Sequence, residues 1–363
     1  MTKPSKGRGA VSNAEGRFET RHVSAVYDGW TREDGEDDDA LAIETVLRPD
    51  PSKSILIGND SPDIPFEVSI NPYKGCEHGC IYCYARPSHG YLNLSAGLDF
   101  ESRIFFKPDA ASLLDAALRA PAYRCKTIAI GANTDPYQPA ERELKVTRGL
   151  LEVAQRFNQP VSMITKGALV ERDIDLLAPM AQRRLASVAV SVTTLDNGVK
   201  RTLEPRAASP AARLRTIERL SAAGIPVTVL VAPVIPAVTD HELETILERA
   251  ADAGARHAGY ILLRLPYEVK DLFREWLDVH LPLRKKHVMS IVQQCRGGKD
   301  YTARFGERMT GTGPFAKLLQ TRFRAACRRY GLDRSRGESG GSALDTSRFQ
   351  VPPAPGDQLG LFG

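Results

Sequence analysis

The chain of 363 residues lacks any apolar run long enough to span a bilayer, which takes about 20 residues. Its first stretch, "MTKPSKGRGAVSNAEG", lacks the apolar segment of a secretory signal, so the sequence reads as cytoplasmic. Cysteine is scarce, with six in all. In a reducing compartment that excludes a disulfide scaffold and leaves free thiols or metal ligands. An excess of one charge is also missing: 49 Lys and Arg against 44 Asp and Glu leave a formal +5, which selects no partner class. What is there is a globular balance, 42% hydrophobic and 26% charged, on a chain long enough for one large catalytic domain or two modest ones.

Residues 1–50 are polar and without clear periodicity, and read as mostly disordered or draped, with an acidic run from Glu33 to Asp39. Residues 334–363 form a Gly/Ser/Pro-rich tail, expected to be flexible. Between them, residues 51–333 form the folded body. Short apolar runs at 66–70, 127–131, 161–165, 187–192, 227–232 and 260–265 suit strands buried on both faces of a parallel sheet. Helical patterns at 108–120, 141–157, 171–184, 209–224 and 240–254 fill the gaps. Ser209-Pro210 is an N-cap followed by an N1 proline, and Gly224 and Gly254 are stops. Six strands with right-handed crossovers predict an α/β fold, an open or partial (β/α)6 barrel.

Polar residues of chemical character follow these runs: 132–141 after the second, Lys166 after the third, 191–194 closing the fourth, 233–236 after the fifth, and Arg264 near the end of the sixth. Catalytic groups of α/β barrels collect at such strand ends. Turn chemistry alone also favours Asn, Asp and Pro there, but does not account for Lys166 and Arg264.

Three of the six cysteines, Cys76, Cys80 and Cys83, stand within "GCEHGCIYCYAR" at spacing C-x3-C-x2-C. A structural zinc site wants four ligands and disulfides want pairs. Three thiolates on one short loop would leave one iron of an iron–sulfur cubane open, which is where chemistry happens. Zinc binding or a redox switch is the alternative for the same residues. Gly75 and Gly79 let the loop curl around a bulky group. Cys125, Cys295 and Cys327 are scattered and read as buried small apolar residues.

With aromatic Tyr82 before its last cysteine, this motif resembles the signature of radical S-adenosylmethionine (radical SAM) enzymes. "NPYKGCEHGCIYCYAR", "TDPYQPAE", "TKGALVERD" and "LEPRAASP" are similar to the spore photoproduct lyase-like group of that family, and the resemblance covers roughly residues 65–330. It implies a partial (β/α)6 barrel, a [4Fe–4S] cluster on Cys76, Cys80 and Cys83, and SAM on the fourth iron. Reductive cleavage of SAM would then give a 5′-deoxyadenosyl radical that abstracts hydrogen from substrate. By the same resemblance, Tyr82 lies against the adenine, Thr134 near the SAM amino group, Lys166 at the carboxylate and Ser191 at the ribose. Arg206 and Arg264 are looser candidates. Tyr82 and Tyr84 bracket Cys83 as the radical-relay tyrosines do in the lyase. The lyase's hydrogen-donor cysteine has no counterpart, because Ala132 stands in its place.

The resemblance points to a nucleic-acid base as substrate, and a peptide or small metabolite is the alternative. A basic, amphipathic helix over 315–330, with Leu319, Phe323, Ala326 and Tyr330 on one face and Arg322, Arg324, Arg328 and Arg329 largely elsewhere, would suit phosphates. The tail ends in "DQLGLF", where Gln358, Leu359, Leu361 and Phe362 resemble the peptide by which bacterial repair proteins dock on the DNA sliding clamp. The implied partners are DNA, the clamp, and an electron donor such as flavodoxin or ferredoxin.

Overall fold

The computed structural model describes residues 5–14, 43–332 and 344–353. Six strands run parallel in chain order: β1 (Val68–Ile70), β2 (Ile128–Ile130), β3 (Val161–Thr165), β4 (Ala186–Ser191), β5 (Val227–Val234) and β6 (His257–Leu262). A short strand, Ile57–Gly58, pairs antiparallel with β1 at the other edge. Strand residues such as Ile130, Met163, Val190 and Val229 are fully buried and share one core with the covering helices' Leu150, Ile217 and Ile246. The outer layer is α1 (Ala110–Arg119), α2 (Val146–Arg156), α3 (Ile174–Gln182), α4 (Pro210–Ala222) and α5 (Leu243–Asp252). Three more helices follow the barrel: α6 (Val269–His280), α7 (Lys285–Gln294) and α8 (Gly313–Tyr330).

Three expectations shift. The pattern over 141–157 divides, because Lys145 adopts a left-handed φ of 52° between the short helix Glu141–Leu144 and α2. The Glu141 carboxylate explains the break: it accepts from Thr147 N at 3.0 Å and Arg148 N at 3.3 Å, capping α2. The last strand begins three residues earlier than its apolar run, at His257. His257, Ala258 and Gly259 carry little apolar signal, but the ladder to Thr228, Val229 and Leu230 recruits them. Arg264 consequently lies two residues past β6. Finally, the described parts of the N-terminal segment are packed rather than draped. Val46–Pro49 runs parallel to Arg103–Phe106, which pairs antiparallel with Tyr73–Lys74 just before the cysteine loop.

The described part of the tail is also seated. Phe349 packs its ring 5.3 Å from Tyr123 and 6.2 Å from Phe157, and Gln350 N donates to the Phe157 carbonyl at 3.0 Å. Gln358, Leu359, Leu361 and Phe362 lie outside the described residues.

Candidate active site

The cysteine loop leaves the small sheet at Lys74 and is shaped by backbone before side chains enter. Gly75 has φ +80° and Gly79 φ +68°; a Cβ on Gly75 would meet the Phe100 carbonyl at 2.9 Å, and one on Gly79 the Glu101 carboxylate at 2.7 Å. Cys76 N donates to Phe100 O at 2.9 Å, Ile81 N to Leu203 O at 3.0 Å and Cys83 N to Cys80 O at 3.1 Å.

Arg86, three residues past Cys83 and fully buried, organises the loop. It donates to the carbonyls of Cys80 (2.9 Å), Gly79 (3.1 Å), Ala96 (3.0 Å) and Gly97 (2.9 Å), and pairs with the Glu101 carboxylate. Glu101 in turn accepts from Gly9 N at 2.8 Å and Ala10 N at 2.9 Å, so the described N-terminal residues clamp the loop from outside. A second buried pair lies on the other side. Tyr82 and Arg213 both donate to the Glu204 carboxylate, and Thr193 Oγ1 donates to it at 2.7 Å. Burial pushes the Glu204 carboxyl up, but Arg213 and Lys166 together overcome this and hold it down at about 2.

The strand-end residues meet at this loop. Lys166 Nζ sits 5.9 Å from the centroid of the Tyr82 ring and, among the described residues, has no ion-pair partner. Asp135 gathers Tyr137 N (2.9 Å), Thr165 Oγ1 (2.7 Å) and Lys166 N (2.7 Å), and lies 3.2 Å from His78 Nδ1. Desolvation works against its charge, but His78 and these donors outweigh it and lower the carboxyl to about 2. Thr134 is buried with Oγ1 donating to Tyr73 O at 2.8 Å, and Ser191, buried at the end of β4, offers its carbonyl to Arg213 at 3.0 Å. Tyr84 is 44% exposed; its hydroxyl donates to the Ala132 carbonyl and its ring faces the Arg264 guanidinium at 5.1 Å.

Cys76, Cys80, Cys83, Tyr82, Tyr84, Thr134, Lys166, Ser191 and Arg264 thus all belong to one end of the strands. Arg206 is tied to the loop differently: it forms an ion pair with Glu77 at 3.1 Å and bonds Thr45 Oγ1 at 3.1 Å. Cys125 precedes β2 and donates to Gln159, which precedes β3, so it lies at the opposite end of the strands. Cys295 is buried against the start of α8 and Cys327 is buried within α8 itself. On that helix, Leu319 and Ala326 are buried as the apolar face requires, but Arg322 is engaged by Glu244 at 2.7 Å. Sequence reading passed over Arg86, Glu101, Glu204 and Arg213. Arg86 and Glu204 stand inside quoted motifs, but nothing in one sequence reveals that a charged residue is buried.

The three clustered thiols are unbridged, and burial, followed by the nearby carboxylate, pushes two of them up: Cys76 by desolvation and Asp135, Cys80 to about 12 by desolvation and Glu204. Such thiols become good anionic ligands only beside a strongly positive group, which iron supplies. Among the described residues no three His, Cys, Asp or Glu side chains converge as ligands of a single ion would. A cluster offers a separate iron to each thiolate, and three thiols on one loop match that donor set.

Residues 70–250 match the family model described as the radical SAM superfamily. An uncharacterized protein of Mycobacterium tuberculosis is 39% identical over 216 residues, 59% of this chain and 64% of that protein. An uncharacterized protein of Methanocaldococcus jannaschii is 27% identical over 174 residues, 48% of this chain and 62% of that protein. The chain therefore matches somewhat less than two thirds of these relatives' lengths. Among solved structures, a spore photoproduct lyase mutant with bound AdoMet and dinucleoside spore photoproduct superposes with a TM-score of 0.56 at 17% identity, covering 82% of this chain and 83% of that one. At that identity the likeness is one of fold. The cysteine motif, the six parallel strands and the family match agree, and residues 70–250 carry a radical SAM superfamily domain.

Proposed function

We propose that the protein holds a [4Fe–4S] cluster on Cys76, Cys80 and Cys83, binds SAM against it, and acts on a nucleic-acid base. The observation that carries this reading is the placement of Lys166, which has no ion-pair partner among the described residues, over Tyr82 of the cysteine loop, at the strand ends where barrels keep their chemistry. When bound, the two cofactors supply reductive cleavage of SAM and a carbon radical able to take a hydrogen atom from substrate.

The chain's own residues do the rest. Arg86 and Glu101 hold the loop's backbone in its curl, and Glu204 fixes the Tyr82 hydroxyl so that the ring presents one face. Lys166 would take the SAM carboxylate as a point charge. Thr134 and Ser191 line the buried edge, and Tyr84, more exposed, faces the substrate side. Ala132 offers no thiol, so a hydrogen donor in the lyase's manner is not part of this proposal. Docking of Gln358, Leu359, Leu361 and Phe362 on the sliding clamp would deliver the enzyme to DNA, with a small electron-transfer protein as reductant.

The deciding experiment is anaerobic reconstitution followed by incubation with damaged-DNA pools, assaying 5′-deoxyadenosine and DNA products together. A DNA product formed in step with 5′-deoxyadenosine is expected. Turnover coupled only to peptide or metabolite pools would overturn the choice of nucleic acid.

A further inference from the structure

Arg264 differs from five other half-buried arginines. Arg148, Arg172, Arg274, Arg308 and Arg322 each reach a carboxylate within 3.0 Å. Among the described residues Arg264 has no carboxylate in ion-pair range, and its one protein acceptor is the thioether of Met309 at 3.4 Å, a weak one. Its Nε is buried without a partner. A guanidinium stripped of water on one edge, with no carboxylate in ion-pair range among the described residues, is not a stabilising feature of a resting fold.

Its position explains what it could meet. The ring of Tyr84 lies under it at 5.1 Å, Tyr84 follows Cys83, and the Tyr84 hydroxyl holds the carbonyl of Ala132 beyond β2. Arg264 therefore lies beside the cysteine loop, at the same end of the strands as Lys166, and separate from the loop's own support. Three residues on, Tyr267 is 60% exposed and held at φ +51°, a conformation tyrosine rarely adopts and one that clusters at functional sites. Next to the Tyr84 ring the strand ends thus carry one planar cation with no carboxylate in ion-pair range among the described residues.

A planar fork of donors matches two oxygens of an oxyanion, and aromatic rings beside it suit stacked bases. We infer that Arg264 is the substrate-phosphate receptor, gripping one phosphodiester of a nucleic-acid strand while Tyr84 and Tyr267 offer faces to the bases beside it. Met309, an unbranched and flexible side chain, is the cover that yields when the phosphate arrives. This rests on the nucleic-acid reading above and names the group that binds the strand's backbone.

The test is fluorescence anisotropy of the full chain, cluster loaded, with a labelled single-stranded DNA oligonucleotide across a salt series. Two unrelated sequences are compared. Arg264→Gln should weaken binding about tenfold for both sequences and reduce the slope of log affinity against log salt by about 0.7, the loss of one phosphate contact. Arg264→Lys should keep the slope but lose part of the affinity, since an ammonium cannot grip two oxygens at once. Should Arg264→Gln melt early, the Lys variant decides, and wild-type affinity in it at unchanged melting temperature overturns the assignment. Equal affinity and slope in wild type and Arg264→Gln would also overturn it while leaving the nucleic-acid reading intact. No binding by the wild type at any salt would overturn that reading itself, and this inference with it.

Discussion

Arg86 donates its Nε proton to the carbonyl of Cys80 at 2.9 Å while its far side pairs with Glu101, so one buried guanidinium spans the cysteine loop and the chain segment behind it. The loop's shape consequently depends on an ion pair with no ligand role. Arg86→Met should lower stability by about 3–5 kcal/mol, because it leaves the Glu101 carboxylate buried with only two backbone donors. Thermal melting checks the stability, and iron content after reconstitution should fall with it. Full iron occupancy at an unchanged melting temperature would remove Arg86 from this role.

Replacing Cys76, Cys80 or Cys83 by alanine should each abolish the visible absorbance and iron–sulfide content of the reconstituted protein, since three thiolates have none to spare. Cys125→Ala, Cys295→Ala and Cys327→Ala should retain both. Iron loss confined to the second set would show that the wrong ligands had been chosen.

Lys166→Ala should weaken SAM binding about 10- to 100-fold, the loss of one charge-assisted contact, without loss of iron. Calorimetry on the loaded protein measures it. Unchanged affinity would leave Lys166 as a cation resting on Tyr82 and nothing more.

Acid should expose the Glu204 pair. Its carboxyl is held at about 2 in the folded chain, against an ordinary value of 4.5. A depressed carboxyl adds stability that is complete above its unfolded value and fades as pH falls through the folded one. Between wild type and Glu204→Gln, the stability gap should therefore be widest above pH about 5 and narrow towards pH about 2. Denaturant melts at stepped pH report it, and a gap independent of pH would refute the assignment.

Clamp docking is checked by titrating the bacterial sliding clamp with the full chain, a chain ending at Gly356, and Leu361→Ala/Phe362→Ala. Binding by the first alone is expected, because two apolar anchors carry most of the energy of such short peptides. Equal binding by all three, or by none, would sink it.

Much of this architecture was legible in the sequence for a plain reason. A short run rich in apolar and β-branched residues between turn signals marks a strand, so "VSMIT" announced β3 to the residue, although its burial alternates between buried and half-buried. Two glycines each just before a cysteine, Gly75 and Gly79, announced a tightly curled loop, because both take the positive φ that glycine alone adopts freely. Lys166 was visible as a cation just after a strand. What the sequence could not show was which charges are buried and whom they meet. Arg86 to Glu101 spans 15 residues, and Arg206, a SAM candidate by resemblance, meets Glu77 from the far side of the barrel sequence. Nor could it show that Gly9 and Ala10 reach Glu101 across more than ninety positions. Periodicity reports an element's own face; pairing between distant polar residues depends on where the folded chain brings them. Tertiary structure alone decided that Arg264, two residues past its strand, would face Tyr84 with no carboxylate in ion-pair range among the described residues.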